Sequence, residues 1–349
     1  MAYTTINDPS AYFQTTLYTG NGSSGHAITN TGNADLQPDW VWIKSRSNAV
    51  NHGAWDSTRG ASDRLLPDTT GAAETQSNFT SFNSDGFTVD TGNIVNTNAY
   101  TYVGWQWKAA GGTTASNGNG SITSTVQANT TAGFSIVKWT GTGSAATIGH
   151  GLGVTPQMII VKNLDKSAQW GVYHYKVGNT KYLALNDADA AATYSGYWND
   201  TSPTTTVFSV GSDGDISGGN GEEVISYCFA PIKGYSKFGV YTGNGNADGT
   251  FVYTGFKPAF ILIKRTDSSG SWVLNDSTRN PTNQANNTLV PNETWAESTN
   301  TYYGLDILSN GFKIRNANPE IGGSGTTNVY AAFAQNPFVA TNNVAATAR

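Results

Sequence analysis

The chain has 349 residues, which at roughly 100–150 residues per domain is room for two or three domains, and its formal net charge is −5. Only 12% of residues are charged and 40 are glycine, with Thr, Asn and Ser filling much of the rest, so a mainly helical build is disfavoured. The 38% of hydrophobic residues argue against disorder, the lack of a basic run argues against nucleic acid as a partner, and no apolar stretch approaches the ~20 residues needed to span a membrane. The single cysteine, Cys228, has no intramolecular disulfide partner and lies in the apolar run "VISYCFA", where it reads as a small buried hydrophobe.

The opening "MAYTTINDPSAYFQTT" lacks a basic segment followed by an apolar one. No secretory signal is expected there, and synthesis in a cytoplasm follows. Residues 1–15 lie outside the pattern described next and read as an N-terminal arm, with Tyr12 and Phe13 as candidate assembly contacts. From residue 16 the chain states one plan three times. "YTGNG" at 18–22 returns as "WTGTG" at 139–143 and "YTGNG" at 241–245. "QPDWVWIK" at 37–44 returns as "TPQMIIVK" at 155–162 and "KPAFILIK" at 257–264, each with Pro, five residues, then Lys. Trp139 to Tyr241, Pro156 to Pro258 and Lys162 to Lys264 are each 102 apart. "DSTRG" at 56–60 returns as "DSTRN" at 276–280, while the middle copy has "HYKVG" at 174–178. Turn signals follow at "NSDGFTV" (83–89), "GSDGDIS" (211–217) and "LSNGFKI" (308–314), then an aromatic-rich closing strand in each copy.

Short strands between turn clusters in units of about 100 residues predict an all-β fold of three tandem antiparallel β-sandwich, jelly-roll-like domains. The expected boundaries are 16–110, 131–235 and 236–340, with a Gly/Ser/Asn-rich linker at 111–130 and a C-terminal tail at 341–349.

The repeat acts as a control on individual residues. Two tryptophans close together suggest a sugar platform, but Trp40 faces Met158 and Phe260 in the other copies, and Trp42 faces Ile160 and Leu262. A stacking site needs a flat ring, so these are core positions. The residues between them, Val41/Ile159/Ile261 and Ile43/Val161/Ile263, are also apolar. Such a strand is covered on both faces. One sandwich covers one face, so the copies are expected to pack laterally or to assemble into oligomers. The repeated Lys44, Lys162 and Lys264 read as side chains that lay their stems on the core edge and pair with carboxylates. Asp56 and Asp276 read as residues that bond turn amides and pair with Arg59 and Arg279, not as a hydrolytic carboxylate pair, because each copy offers one Asp and the middle copy none. His26, His52, His150 and His174 lack metal-ligand spacing, and "SDGDISGGNGEE" (212–223) has the content but not the spacing of a calcium loop. No metal, cofactor or enzymatic activity is expected.

The aromatics that do not repeat are the candidate ligand-binding residues. Tyr194, Tyr197 and Trp198 lie in "TYSGYWNDTSP", and Trp295, Tyr302 and Tyr303 in "NETWAESTNTYY". Rings flanked by Asn, Asp, Ser and Thr suit carbohydrate, with a flat apolar face beside hydroxyl partners.

The stretches "MAYTTINDPSAYFQTTLYTGNG", "PDWVWIKSR", "GHGLGVTPQMIIVKN", "YCFAPIKGYSKFGVYTGNGNADGTFVYTGFKPAFILIKR" and "DILSNGFKIRNANPEIGGSGTTNVYAAFAQNPF" resemble a repeated β-domain family of tailed bacteriophages from marine and freshwater settings, over roughly 2–340. The resemblance implies a tail fibre or virion structural protein, assembled in the host cytoplasm, symmetric and often homotrimeric, with other virion proteins as partners. It carries over no catalytic residues. Two readings follow: a tail-associated adhesin that binds host surface polysaccharide, or a capsid decoration or fibre protein with a purely structural role. A depolymerase is disfavoured by the lack of a clustered carboxylate pair.

Overall fold

The computed structural model describes residues 3–339, and the expected tail at 341–349 lies outside them. The fold is nearly all β, with several antiparallel sheets, as expected. The helical elements among the described residues are single turns.

Each copy builds a large sheet with the same core of four strands. The opening strands are Phe13–Thr19, Phe134–Thr140 and Ser236–Thr242. The lysine strands are Trp40–Ser45, Met158–Asn163 and Phe256–Arg265, and the closing strands are Thr101–Trp107, Glu223–Phe229 and Thr327–Pro337. Return strands run over Gly53–Asp56, Gly171–His174 and Val273–Asp276. In all three sheets the order is opening, closing, lysine, return, and every pairing is antiparallel. The register repeats as well: Trp40 pairs with Trp107, Met158 with Phe229, and Phe260 with Phe333.

A smaller sheet lies against one face of each large one. In the first copy Val41, Ile43 and Trp55 share a buried cluster with Ile28, Phe79, Phe87 and Val89 of the strands His26–Ile28, Phe79–Asn83 and Gly86–Val89. In the second, Ile159 and Val161 meet Ile148, Phe208 and Val210. The tight turns into these small sheets need glycine: a Cβ on Gly86 or Gly311 would collide with the carbonyl oxygen of Ile28 or Val252. The middle copy departs here. Its "GDIS" forms the helical turn Gly214–Ser217, capped by Asp213 Oδ1 accepting from Asp215 N at 2.8 Å.

Two expected boundaries shift. Phe13 begins the first opening strand, so the arm ends before it. The segment expected as a linker carries the strands Ala115–Asn117 and Ser124–Asn129, which add to the edge of the second large sheet. An edge strand needs backbone pairing and tolerates polar side chains, which is why its composition resembles a linker.

The other face of the lysine strands points inward, and the copies cover one another there. Trp40, Trp42 and Trp107 meet Met158, Ile160 and Phe229, and Phe260, Leu262 and Phe333. One ring from each closing strand forms a near-equilateral triangle: Trp107 to Phe229 is 6.4 Å, Phe229 to Phe333 is 5.7 Å, and Trp107 to Phe333 is 5.7 Å. The void at this centre is about 10 Å³, about the least that a single water needs, and its lining is apolar.

The contacts between copies recur in threes. Ala73 N donates to Leu164 O, Ala191 N to Thr266 O, and Glu297 N to Arg46 O, at 2.8, 3.0 and 2.8 Å. Trp170 Nε1 donates to Leu66 O at 3.1 Å and Trp272 Nε1 to Ala184 O at 2.7 Å; at the corresponding place His52 Nε2 donates to Val290 O at 3.2 Å. Each return strand also ends on the next copy's closing strand. Asp56 Oδ2 accepts from Tyr227 OH at 2.8 Å, His174 Nε2 donates to Tyr330 O at 3.2 Å, and Asp276 Oδ2 accepts from Trp105 Nε1 at 3.1 Å. The third copy thus meets the first as the first meets the second, the geometry of a head-to-tail contact that closes after three steps.

Two of the repeated lysines, Lys162 and Lys264, belong to these contacts, while Lys44 bonds within its own copy. All three are buried, and their partners are carbonyl oxygens instead of the expected carboxylates. Lys162 Nζ donates to Thr70 O of the first copy and to Ala168 O; Lys264 Nζ donates to Ala188 O and Asp189 O of the second and to Gly270 O; Lys44 Nζ donates to Ser45 O and Asn48 O. Burial pushes each ammonium down to about 8.

The buried histidines respond to acid. The carbonyl on His174 Nε2 makes that nitrogen the donor, and Nδ1 accepts from Lys176 N at 3.3 Å, so the neutral ring is satisfied on both sides. Burial lowers its pKa to about 4. A histidine depressed in the folded state stabilises fully above its unfolded value of about 6.5 and loses that contribution as pH falls through the folded one, about 3 kcal/mol in all by pH 4. Urea midpoints should therefore drop between pH 6.5 and 4, and His174→Gln should flatten that slope. An unchanged slope would remove His174 as its source.

Candidate functional site

The polar aromatic segments do not form one platform. Tyr194 is 45% exposed, Trp295 52% and Tyr302 47%, so these three rings are free to meet a ligand. Tyr194 OH donates to Asp213 Oδ2 at 3.1 Å. Tyr197, Trp198 and Tyr303, expected at the same surface, are buried instead. The turn Ser195–Trp198 directs Tyr197 onto Tyr182 at 3.9 Å between centroids and Trp198 onto Tyr173 at 5.7 Å. Tyr303 turns inward with its OH donating to Glu320 Oε2 at 3.0 Å. Polar neighbours in sequence do not set a ring's direction, and a single helical turn moves adjacent side chains about 100° apart around its axis. Among the described residues no ring contact joins Tyr194 to Trp295 or Tyr302.

The candidate assembly contacts also point elsewhere. Phe13 is buried within its own chain, 4.9 Å from Trp107, 5.7 Å from Phe260 and 5.5 Å from Phe333. Tyr12 packs edge-on against Tyr235 at 6.0 Å. Phe13 therefore closes the central cluster and is not available to a second protomer.

The repeated Asp-Arg pairs are structural, as read. Asp56 and Asp276 are wholly buried. Asp56 Oδ1 accepts from Thr58 N and Arg59 N, and its Oδ2 from Arg59 Nε at 2.6 Å. Asp276 repeats this arrangement with Thr278 and Arg279. Both carboxylates are thus closed off from solvent among the described residues. In the glycine-rich acidic loop Glu222 accepts from Gly219 N of the loop and from Asn163 Nδ2 of the lysine strand, and it pairs with Lys166. Cys228 is buried, and burial pushes its thiol up to about 12, which leaves it unreactive.

One cleft was not foreseen. It holds about 350 Å³ between the second and third copies and brings Tyr175 and Lys176 beside Lys237, Phe251 and Tyr253. Its two lysines lie far apart in sequence, so no local motif announces them. A second cleft of about 380 Å³ is lined by Tyr182, Asp187 and Asp189.

This geometry defines a β-sandwich-like protein with three interlocked copies of one plan and isolated exposed rings. The chain belongs to the family described as a domain of unknown function (DUF7483), which matches residues 8–337 and takes in all three copies as one unit. No curated protein matches it.

Proposed function

We propose that the protein is a non-enzymatic structural component of a bacteriophage virion, a tail fibre or tail-associated part that presents exposed rings to host surface polysaccharide. Its body is read as three tandem β-sandwich domains closed around a pseudo-threefold axis. The observation that carries this reading is the triangle of Trp107, Phe229 and Phe333 with its recurring contacts. By itself one chain supplies a threefold body of the kind that the phage resemblance led one to expect from three chains. The apolar second face of the lysine strands, which pointed to lateral packing or oligomers, is covered within the chain. A homotrimer therefore rests on the resemblance alone. Interlocking also suits a particle that must persist outside cells without a disulfide, since buried interfaces replace covalent staples.

The exposed loops supply the binding part of the proposal. Virions carrying Trp295→Ala with Tyr302→Ala should assemble normally, because both rings are half exposed, and should adsorb to host cells at least about tenfold less well. Undiminished adsorption would overturn the loop assignment. Imaging the particle separates this reading from a capsid decoration protein: few copies at the tail support the first, many copies over the capsid the second.

A further inference from the structure

We propose that the cleft between the second and third copies binds an acidic saccharide, with Lys176 and Lys237 holding its carboxylate and Phe251 and Tyr253 stacking on its sugar ring. This site is separate from the Trp295 and Tyr302 loops and shares with the adhesin reading only the class of ligand.

The cleft is assembled from three elements. Tyr175 and Lys176 follow the return strand of the second copy, Lys237 and Val240 lie on the opening strand of the third, and Phe251 and Tyr253 lie on the short strand Phe251–Tyr253. On that strand Val252 is buried while Phe251 and Tyr253 are exposed, so alternation places both rings on the solvent side. Gly239 lies against the Tyr330 ring, where any side chain would collide, and this keeps the cleft floor open. A volume of about 350 Å³ falls at the lower end of the range for small-ligand pockets.

The charges are unusual for this chain. Its net charge is −5, yet among the described residues neither Lys176 nor Lys237 forms an ion pair. Lys237 is half-buried, and one of its three N–H donors is used, on Tyr253 O at 2.6 Å. Its ammonium lies 5.1 Å from the Tyr253 ring centroid, and that of Lys176 lies 4.7 Å from the Tyr175 ring. The basic aromatic face continues past the rim, where Lys233 sits 4.7 Å from the Tyr3 ring and Tyr3 OH meets Tyr253 OH at 3.2 Å.

Cations beside exposed rings match a ligand that carries both an anion and an apolar ring face. A neutral sugar would leave both ammoniums without an anion. A nucleic-acid strand would meet a net-negative protein and a short cleft where it needs a long basic track. The other cleft, with Asp187 and Asp189, has the wrong charge for the same ligand.

Affinity electrophoresis of the full chain in gels containing polygalacturonate, polysialate or neutral dextran tests the site. The chain should be retarded by at least one acidic polymer and not by dextran, and salt should weaken the retardation. Lys176→Gln, Lys237→Gln and Tyr253→Ala should each reduce affinity at least about tenfold, while unchanged melting temperatures show that the variants fold. Binding to neither acidic polymer, equal binding to dextran, unchanged affinity in both lysine variants, or full competition by a single-stranded oligonucleotide would each overturn the proposal. The adsorption of Trp295→Ala, Tyr302→Ala virions is decided independently of all four.

Discussion

Replacing Asp276 by alanine should destabilise the protein by about 3–5 kcal/mol, measured as a fall in the denaturant midpoint at constant slope. The carboxylate is wholly buried and accepts four bonds: Thr278 N and Arg279 N on Oδ1, Arg279 Nε and Trp105 Nε1 on Oδ2. Arg279 is itself buried, and its other partners are Glu297 Oε2 at 2.9 Å and Leu274 O at 3.0 Å. Truncation at Asp276 leaves a buried guanidinium short of one anion and a buried indole N–H without its acceptor. Each loss carries a desolvation penalty that water cannot relieve. The damage also falls on the junction that closes the third copy onto the first, because Glu297 bridges Arg279 and Arg46. Removing charge and countercharge together, as Asp276→Leu with Arg279→Met, should recover part of the loss, since no ion is then left unpaired. A loss under about 1 kcal/mol for Asp276→Ala would show that the pair does not hold the junction.

Much of the architecture is legible in the repeat. The constant offset between Pro156 and Pro258 and between Lys162 and Lys264 locates equivalent strands, and their two apolar faces require two covers. Periodicity speaks of faces, though, and not of what covers them. Nothing in "QPDWVWIK" distinguishes a neighbouring copy from a second protomer. The junctions between copies are further hidden by substitution: the place of Trp170 and Trp272 is taken by His52, and that of Asp56 and Asp276 by His174. Different side chains keep the bond while erasing the motif. The candidate site was less legible. Trp198 and Trp295 have equally polar surroundings in sequence, yet one is buried under Tyr173 and the other exposed, because a helical turn rotates the first inward. Lys176 and Lys237 meet only because the second and third copies lie side by side, which is a tertiary fact with no local signature.

At Trp40 the ring and its N–H have opposite effects, and two substitutions separate them. The ring stacks on Tyr227 of the second copy at 4.3 Å and lies tilted against Trp107 at 4.6 Å, with Trp42 at 5.9 Å and Phe229 at 6.0 Å. It is buried, and its Nε1 has no hydrogen-bond partner among the described residues. Trp40→Ala should cost about 3–5 kcal/mol, because the cavity opens between two copies whose strands are held by separate sheets and cannot collapse into it. Trp40→Phe should cost only about 1–2 kcal/mol. Phenylalanine keeps a ring on Tyr227, and removing a buried unsatisfied N–H offsets part of the lost packing. The third copy already carries Phe260 at this position, so the central cluster accommodates that ring. Denaturant midpoints of the two variants measure the difference. Equal losses would mean that the indole N–H is satisfied in solution, and a small loss for alanine would mean that the three copies do not pack as a single core.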